Sequence, residues 1–353
     1  MNKYLSNKIT FFSFWLIILV VVLHSLNVQF NECNNLLCGL QYLLSYKLAQ
    51  IAVPLFFFIS GYLYFFKADL KKKIDLSFFF ANNKKRIKTV LIPYVLWCVI
   101  WFFILYLLQL LPFVKNYFSE PLHSMTLKDK LLNLFVYPVN YPFWFLRELM
   151  LLFVLSPLVF LLIKYLKVVY IVVLFILIIV FSKLLSVYDI TLLQSMPIFY
   201  FSLGAFISLN KINIESKLSS FKSFGLLIIW ILFNILSFYF DNDFKSEDIY
   251  IRSFNVIKDI VGCLAVWYMY DFFNQKEQWK NYSFYQYSFF IFAFHGIPTA
   301  ILVKLSQVFK NNEYLTFLAY VSIIILIVMI SIFTGNLIKR SMPQFYRLVT
   351  GNR

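Results

Sequence analysis

Apolar runs close to the thickness of a bilayer recur from one end of this chain to the other. A helix needs about 20 mainly apolar residues to cross the hydrocarbon core. Runs of this kind fall at about 9–28, 43–66, 90–112, 142–163, 168–186, 193–209, 223–240, 251–273, 284–305 and 314–338. They predict an all-α fold, a polytopic transmembrane helical bundle of about ten spans. Composition agrees, since 61% of the 353 residues are hydrophobic, against roughly 45–50% in a soluble domain. No periodic repeat and no long hydrophilic stretch divides the chain, so residues 1–353 read as a single domain.

In a soluble protein a net charge of +16 would suggest nucleic acid as a partner. In a membrane protein the distribution matters more, because cytoplasmic loops are enriched in Lys and Arg. With the N-terminus inside, the cytoplasmic segments hold 21 of the 32 Lys and Arg residues and the external segments hold 5. Inverting the topology would reverse that bias, so both termini are expected in the cytoplasm and no nucleic-acid partner is needed. Only Lys3 and Lys8 precede the first span, and no small-residue cleavage site follows His24, which reads as a retained helix. Cys98 and Cys263 fall inside spans, whereas Cys33 and Cys38 share an external loop at a spacing that admits a disulfide. Three histidines, with no H-E-x-x-H and no C-x2-C pair, give no metal-ligand pattern.

A charged side chain facing lipid costs at least a few kcal/mol, so it normally faces protein or a water-filled cavity. The positions concerned are His24, Lys47, Arg147, Glu148, Arg252, Lys258, Asp259 and His295. On the eighth span, Arg252, Asn255, Lys258, Asp259 and Gly262 recur at steps that place them on one helix face. Such a face fits a cavity wall, and it equally fits an internal charge balance built on Lys258 and Asp259. His24 closes the first span and His295 sits near the middle of the ninth. Either is accounted for as a hydrogen-bonded helix residue or as a reactive group, and position alone does not choose.

Four stretches taken together do. They are the opening helix ending "VVVLHS", "AVPLFFFISGYLYF" followed by a basic loop and "KKRIKTVLIPY", then "NYPFWFLREL", then "FFIFAFHGIP". Their order and spacing resemble acyltransferase family 3, integral membrane acyltransferases of which many O-acetylate bacterial surface glycans. The resemblance implies that His24 is catalytic and that acyl-CoA, most simply acetyl-CoA, is the donor. It implies as acceptor a hydroxyl of an extracytoplasmic polysaccharide or lipid-linked glycan, and as location the bacterial cytoplasmic membrane. The family commonly places an arginine eleven residues before the histidine; Ser13 stands there in this chain, and Lys8 is the nearest upstream cation. A basic pair three residues apart survives as Lys85 and Lys88, with Arg86 between them.

The residues suit that chemistry. Lys85, Arg86 and Lys88 offer cytosolic positive charge to the phosphates of coenzyme A. A neutral imidazole at His24 can take the proton of a sugar hydroxyl as it attacks a thioester. Arg147 is a candidate donor to the developing oxyanion, Glu148 to orient an imidazole or pair with a cation, and His295 to assist. An H-x4-D motif, a G-x-S-x-G elbow and a phosphate-binding G-x-x-x-x-G-K-[ST] loop are all absent. The competing class is a transporter or flippase for a lipid-linked sugar, which would be expected to show internal repeats or paired broken helices. The chain shows no such symmetry.

Overall fold

Hydrocarbon offers backbone amides no water, so each apolar run satisfies its own polar groups by coiling into a helix. The computed structural model describes residues 2–29, 35–71, 76–111, 121–181, 183–187, 190–214, 217–243, 248–274 and 282–352. Helix α1 (Lys3–His24) begins at Asn2, whose side chain accepts from the Leu5 amide at 2.8 Å. It ends at Ser25, whose hydroxyl donates to the Val21 carbonyl at 2.7 Å. The second run is continuous but irregular: α2 (Leu36–Tyr42), a π-helical stretch Leu43–Leu48, a 3-10 turn Ala49–Ile51 and α3 (Ala52–Phe65). The third likewise joins α4 (Leu76–Arg86) to α5 (Ile92–Leu108) through a π-helical Ile87–Leu91. A π insertion rotates the side chains around it relative to a regular helix, and such insertions are frequent at functional sites.

The remaining elements are α6 (Leu127–Phe135), α7 (Trp144–Leu166), α8 (Val168–Val180), an antiparallel hairpin of β1 (Lys183–Val187) and β2 (Ile190–Gln194), and α9 (Ser195–Leu209). After them come α10 (Ser220–Asp243), α11 (Ile249–Phe273), α12 (Ser288–Ser306), α13 (Glu313–Ser341) and a short α14 (Pro343–Thr350). Among the described residues, seven helical segments are long and apolar enough to cross a membrane, and α8 and α9 are shorter apolar helices. The chain is an all-α, multi-pass membrane protein.

One expectation needs correction. The fifth run does not stay helical to residue 186, because α8 stops at Val180 and the chain turns into the hairpin. Two side chains take up the carbonyls released there: Arg252 donates to Val180 O at 3.3 Å and Ser195 donates to Phe181 O. The charged face of α11 lines neither of the cavities described below. Lys258 lies 3.5 Å from Asp259, and a chain of 2.9 Å bonds runs from Lys47 Nζ through Ser237 Oγ to Asn255 Oδ1. Cys38 is disulfide-bonded, while Cys33 lies outside the described residues.

Small residues set the tightest helix contact. A methyl group on Gly61 would collide with the Phe201 carbonyl, and one on Gly204 with the Phe58 carbonyl, so α3 and α9 meet backbone to backbone. Helix α1 runs through the middle of the bundle against α3, α12 and α13. Its other side is anchored near the N-terminus. Lys8 pairs with Asp271 at 2.8 Å and lies 4.2 Å from the Trp267 ring centroid, and Phe12 stacks on Trp267.

Candidate active site

A cavity of about 670 Å3 follows α1 for most of its length. Ile9, Thr10, Ser13, Ile17, Val20 and His24 form one wall, and α3 supplies the facing one through Phe56, Ser60 and Leu63. From Ile9 to His24 the fifteen steps along the helix, at 1.5 Å each, make that wall about 22 Å long. Tyr141 lies beside His24, and Tyr46 follows Ser45, which bonds the Val22 carbonyl, so both stand at the His24 end; Gln286 follows Tyr285, which packs on Phe11, and Arg86 lies over Phe153, which stacks on Tyr64 at the far end of α3. Most of the rest is aliphatic or aromatic. Arg86 and His24 are therefore the two ionisable basic groups among its lining residues, and they sit at opposite ends.

The His24 end is assembled from four parts of the chain. The imidazole of His295 lies with its ring centroid 5.5 Å from that of His24. His295 is fully buried, and its Nδ1 lies 2.8 Å from Phe292 O and 3.1 Å from Ile291 O. A carbonyl can only accept, so Nδ1 carries the proton and Nε2 presents a lone pair. That Nε2 is buried and has no hydrogen-bond partner among the described residues. Tyr141 packs edge-on to His24 at 6.2 Å. Its loop is clamped to α12 by Asn140, whose amide donates to Ala293 O at 3.0 Å, while Trp101 donates to the same carbonyl at 2.9 Å. Pro298 has no amide to give the Phe294 carbonyl one turn before it. Gly296 is needed here, since any side chain would strike Asn140 Oδ1.

Not every residue singled out from sequence reaches the cavity. Arg147 donates to Val136 O at 2.6 Å and lies 3.9 Å from Glu148, whose Oε2 accepts from the Gln194 amide at 3.3 Å. Neither Arg147 nor Glu148 is a lining residue; together they tie α7 to the loop before it and to the hairpin. Lys85 and Lys88 are exposed and off the cavity, whereas Arg86 lines it and lies 5.1 Å from the Phe153 ring centroid. Lys8 is committed to Asp271, and Ser13 faces the cavity with its hydroxyl on Ile9 O. Tyr46, Gln50 and Tyr141 were not marked by the sequence reading. Tyr141 lies inside a quoted motif, but Tyr46 reaches the cavity from within a π-helical stretch, which no periodicity forecasts.

With this geometry in hand, the chain's class follows: it belongs to the integral membrane acyltransferases of acyltransferase family 3, whose model, described as an acyltransferase domain, matches residues 9–335. Among curated proteins it is similar to the succinoglycan biosynthesis protein ExoH of Rhizobium meliloti (strain 1021). The two are 26% identical over 329 residues, covering 90% of this chain and 84% of that protein. No solved structure gives a significant match.

Proposed function

We propose that this protein transfers an acyl group, most simply acetyl, from cytosolic acyl-CoA to a hydroxyl of an extracytoplasmic polysaccharide or lipid-linked glycan. The observation that carries the reading is the cavity with Arg86 near one end and the His24–His295 pair near the other. A donor with a phosphorylated head and a thin arm ending in a thioester suits it: the head rests by Arg86, Lys85 and Lys88, and the arm lies along the apolar wall. In this reading the Arg86 end is cytoplasmic, both termini are inside and the bundle lies in a bacterial cytoplasmic membrane. The similarity to a succinoglycan biosynthesis protein supports a glycan as acceptor.

His24 acts as general base. It takes the proton of the acceptor hydroxyl as that oxygen bonds to the thioester carbon. The tetrahedral intermediate then expels the coenzyme A sulfur, which leaves with the proton His24 returns. The lone pair on His295 Nε2, unpaired in the structure and beside the His24 ring, would accept the other N–H of His24 as that imidazole turns to the substrate and so select its tautomer, a positioning role. Arg147 being off the cavity, Tyr46, Gln50 or Tyr141 is the donor to the oxyanion.

Membrane vesicles containing the protein provide the test. Given acetyl-CoA and de-acylated surface polysaccharide, they should release free thiol, and the glycan should gain one acyl mass per thiol. Release of thiol without a mass gain on the glycan would overturn the acceptor. No thiol release from acetyl-CoA or succinyl-CoA would overturn the donor.

A further inference from the structure

A second cavity, about 600 Å3, opens at the His24 end of α1 and shares no lining residue with the first. Its chemistry is different. Where the first is walled by aliphatic and aromatic groups, this one is lined by the amides of Asn27, Gln29, Asn35, Gln41, Gln307 and Asn311. Lys310 and Glu313 add one charge of each sign.

Two of the amides are buried and incompletely bonded. Asn27 is 6% exposed and Gln41 is 1% exposed, yet among the described residues Asn27 Oδ1 and Gln41 Oε1 have no hydrogen-bond partner. Asn27 cannot turn to relieve this, because its Nδ2 donates to Ser306 Oγ and to Thr316 O, both at 3.1 Å. Buried carbonyl oxygens left unpaired are unfavourable, and a ligand bringing O–H donors would satisfy them. Gln307 completes the wall, its amide donating to Asn27 O at 2.9 Å.

The occupant these groups suit is a sugar. Amides both donate and accept, as hydroxyls do, and a polyol matches several at once. A phosphate or an acidic peptide would call for a surplus of cations, and here Lys310 is offset by Glu313. Position agrees as well. Asn27 lies three residues beyond His24, at most about 11 Å of extended chain away. Val303 and Gln307 continue the row of fourth residues that starts at His295 and Thr299, so α12 leads from one site to the other.

We infer that this pocket is a carbohydrate subsite: it holds a sugar of the acceptor glycan adjacent to the one being acylated, recognised through Asn27, Gln41 and Gln307. The inference rests on the glycan-acceptor function proposed above. It is tested on the full-length protein in lipid nanodiscs with radiolabelled acetyl-CoA and, in parallel, succinyl-CoA. The acceptors are oligosaccharides cut by mild acid from the host's de-acylated surface polysaccharide, and the methyl glycosides of its constituent sugars. In the double variant Gln41→Met, Gln307→Met, the oligosaccharide KM should rise at least tenfold without a matching fall in kcat. The ratio of oligosaccharide to monosaccharide kcat/KM should fall by a similar factor. A ratio within twofold of wild type would overturn the subsite while leaving the acyltransferase reading intact. A wild-type protein that acylates neither acceptor would overturn both. Should the double variant fail to accumulate, Gln307→Met alone, at an exposed side chain, should lower the ratio about threefold, and an unmoved ratio counts against the subsite.

Discussion

A double-mutant cycle on His24 and His295 probes the proposed chemistry most directly. Loss of a general base lowers kcat by ~10²–10⁴, so His24→Ala should fall in that range at saturating acyl-CoA. His295 acts by a different route. Its Nδ1 is held on the Phe292 carbonyl and its Nε2 faces inward unpaired, 5.5 Å between ring centroids from His24. In the proposed reaction that Nε2 accepts from His24, so His295→Ala would remove one orienting hydrogen bond worth about 0.5–1.5 kcal/mol, which corresponds to about a 2- to 12-fold loss in rate. The decisive value is the double variant. If His295 works only through His24, removing it from the His24→Ala background should change the residual rate by less than about twofold. The assay is acyl transfer to the glycan, with protein in the membrane fraction quantified for each variant. A well-inserted His24→Ala that keeps a tenth or more of the activity would refute the base. Losses that simply multiply would refute the positioning role.

Three further outcomes are expected. Arg86→Gln should raise the KM for acyl-CoA several-fold more than Lys85→Gln or Lys88→Gln, because Arg86 alone of the three lines the cavity, and the differences should narrow at high salt; equal effects from all three would contradict that placement. Gly204→Ala should lower the thermal unfolding midpoint and membrane yield through overpacking of about 1–3 kcal/mol, since its methyl would meet the Phe58 carbonyl, and a normal midpoint would argue against so close a contact. Lys8→Met should cost about 3–5 kcal/mol by leaving the Asp271 carboxylate buried with the Tyr4 hydroxyl but without its cation, read as loss of folded protein, whereas Lys8→Met with Asp271→Leu should restore yield; a silent single variant would refute the ion pair.

Much of this molecule is already present in its one-dimensional pattern. Hydrophobic run length decides that the chain is a bundle of membrane helices, because an unbroken apolar run of about 20 residues fits a helix, whereas a barrel strand spans in about 9–11. The place of His24 at the end of a helix, and of Arg86 in a basic stretch at the start of another span, are likewise read directly from residue order. What run length cannot state is which neighbour each face meets. His295 comes beside His24 only because α12 packs on α1. Lys8, the nearest cation to the Ser13 position, turns away from the cavity because Asp271 and Trp267 lie on its side of α1. Arg147 and Glu148, adjacent in an otherwise apolar motif, are spent on a loop carbonyl and a hairpin amide. Tyr46 reaches the cavity from a π-helical stretch that shifts the register of every side chain after it. In each case periodicity says how a side chain is directed about its own helix axis, while the contacts that decide its chemistry come from other helices, and only packing brings those within reach.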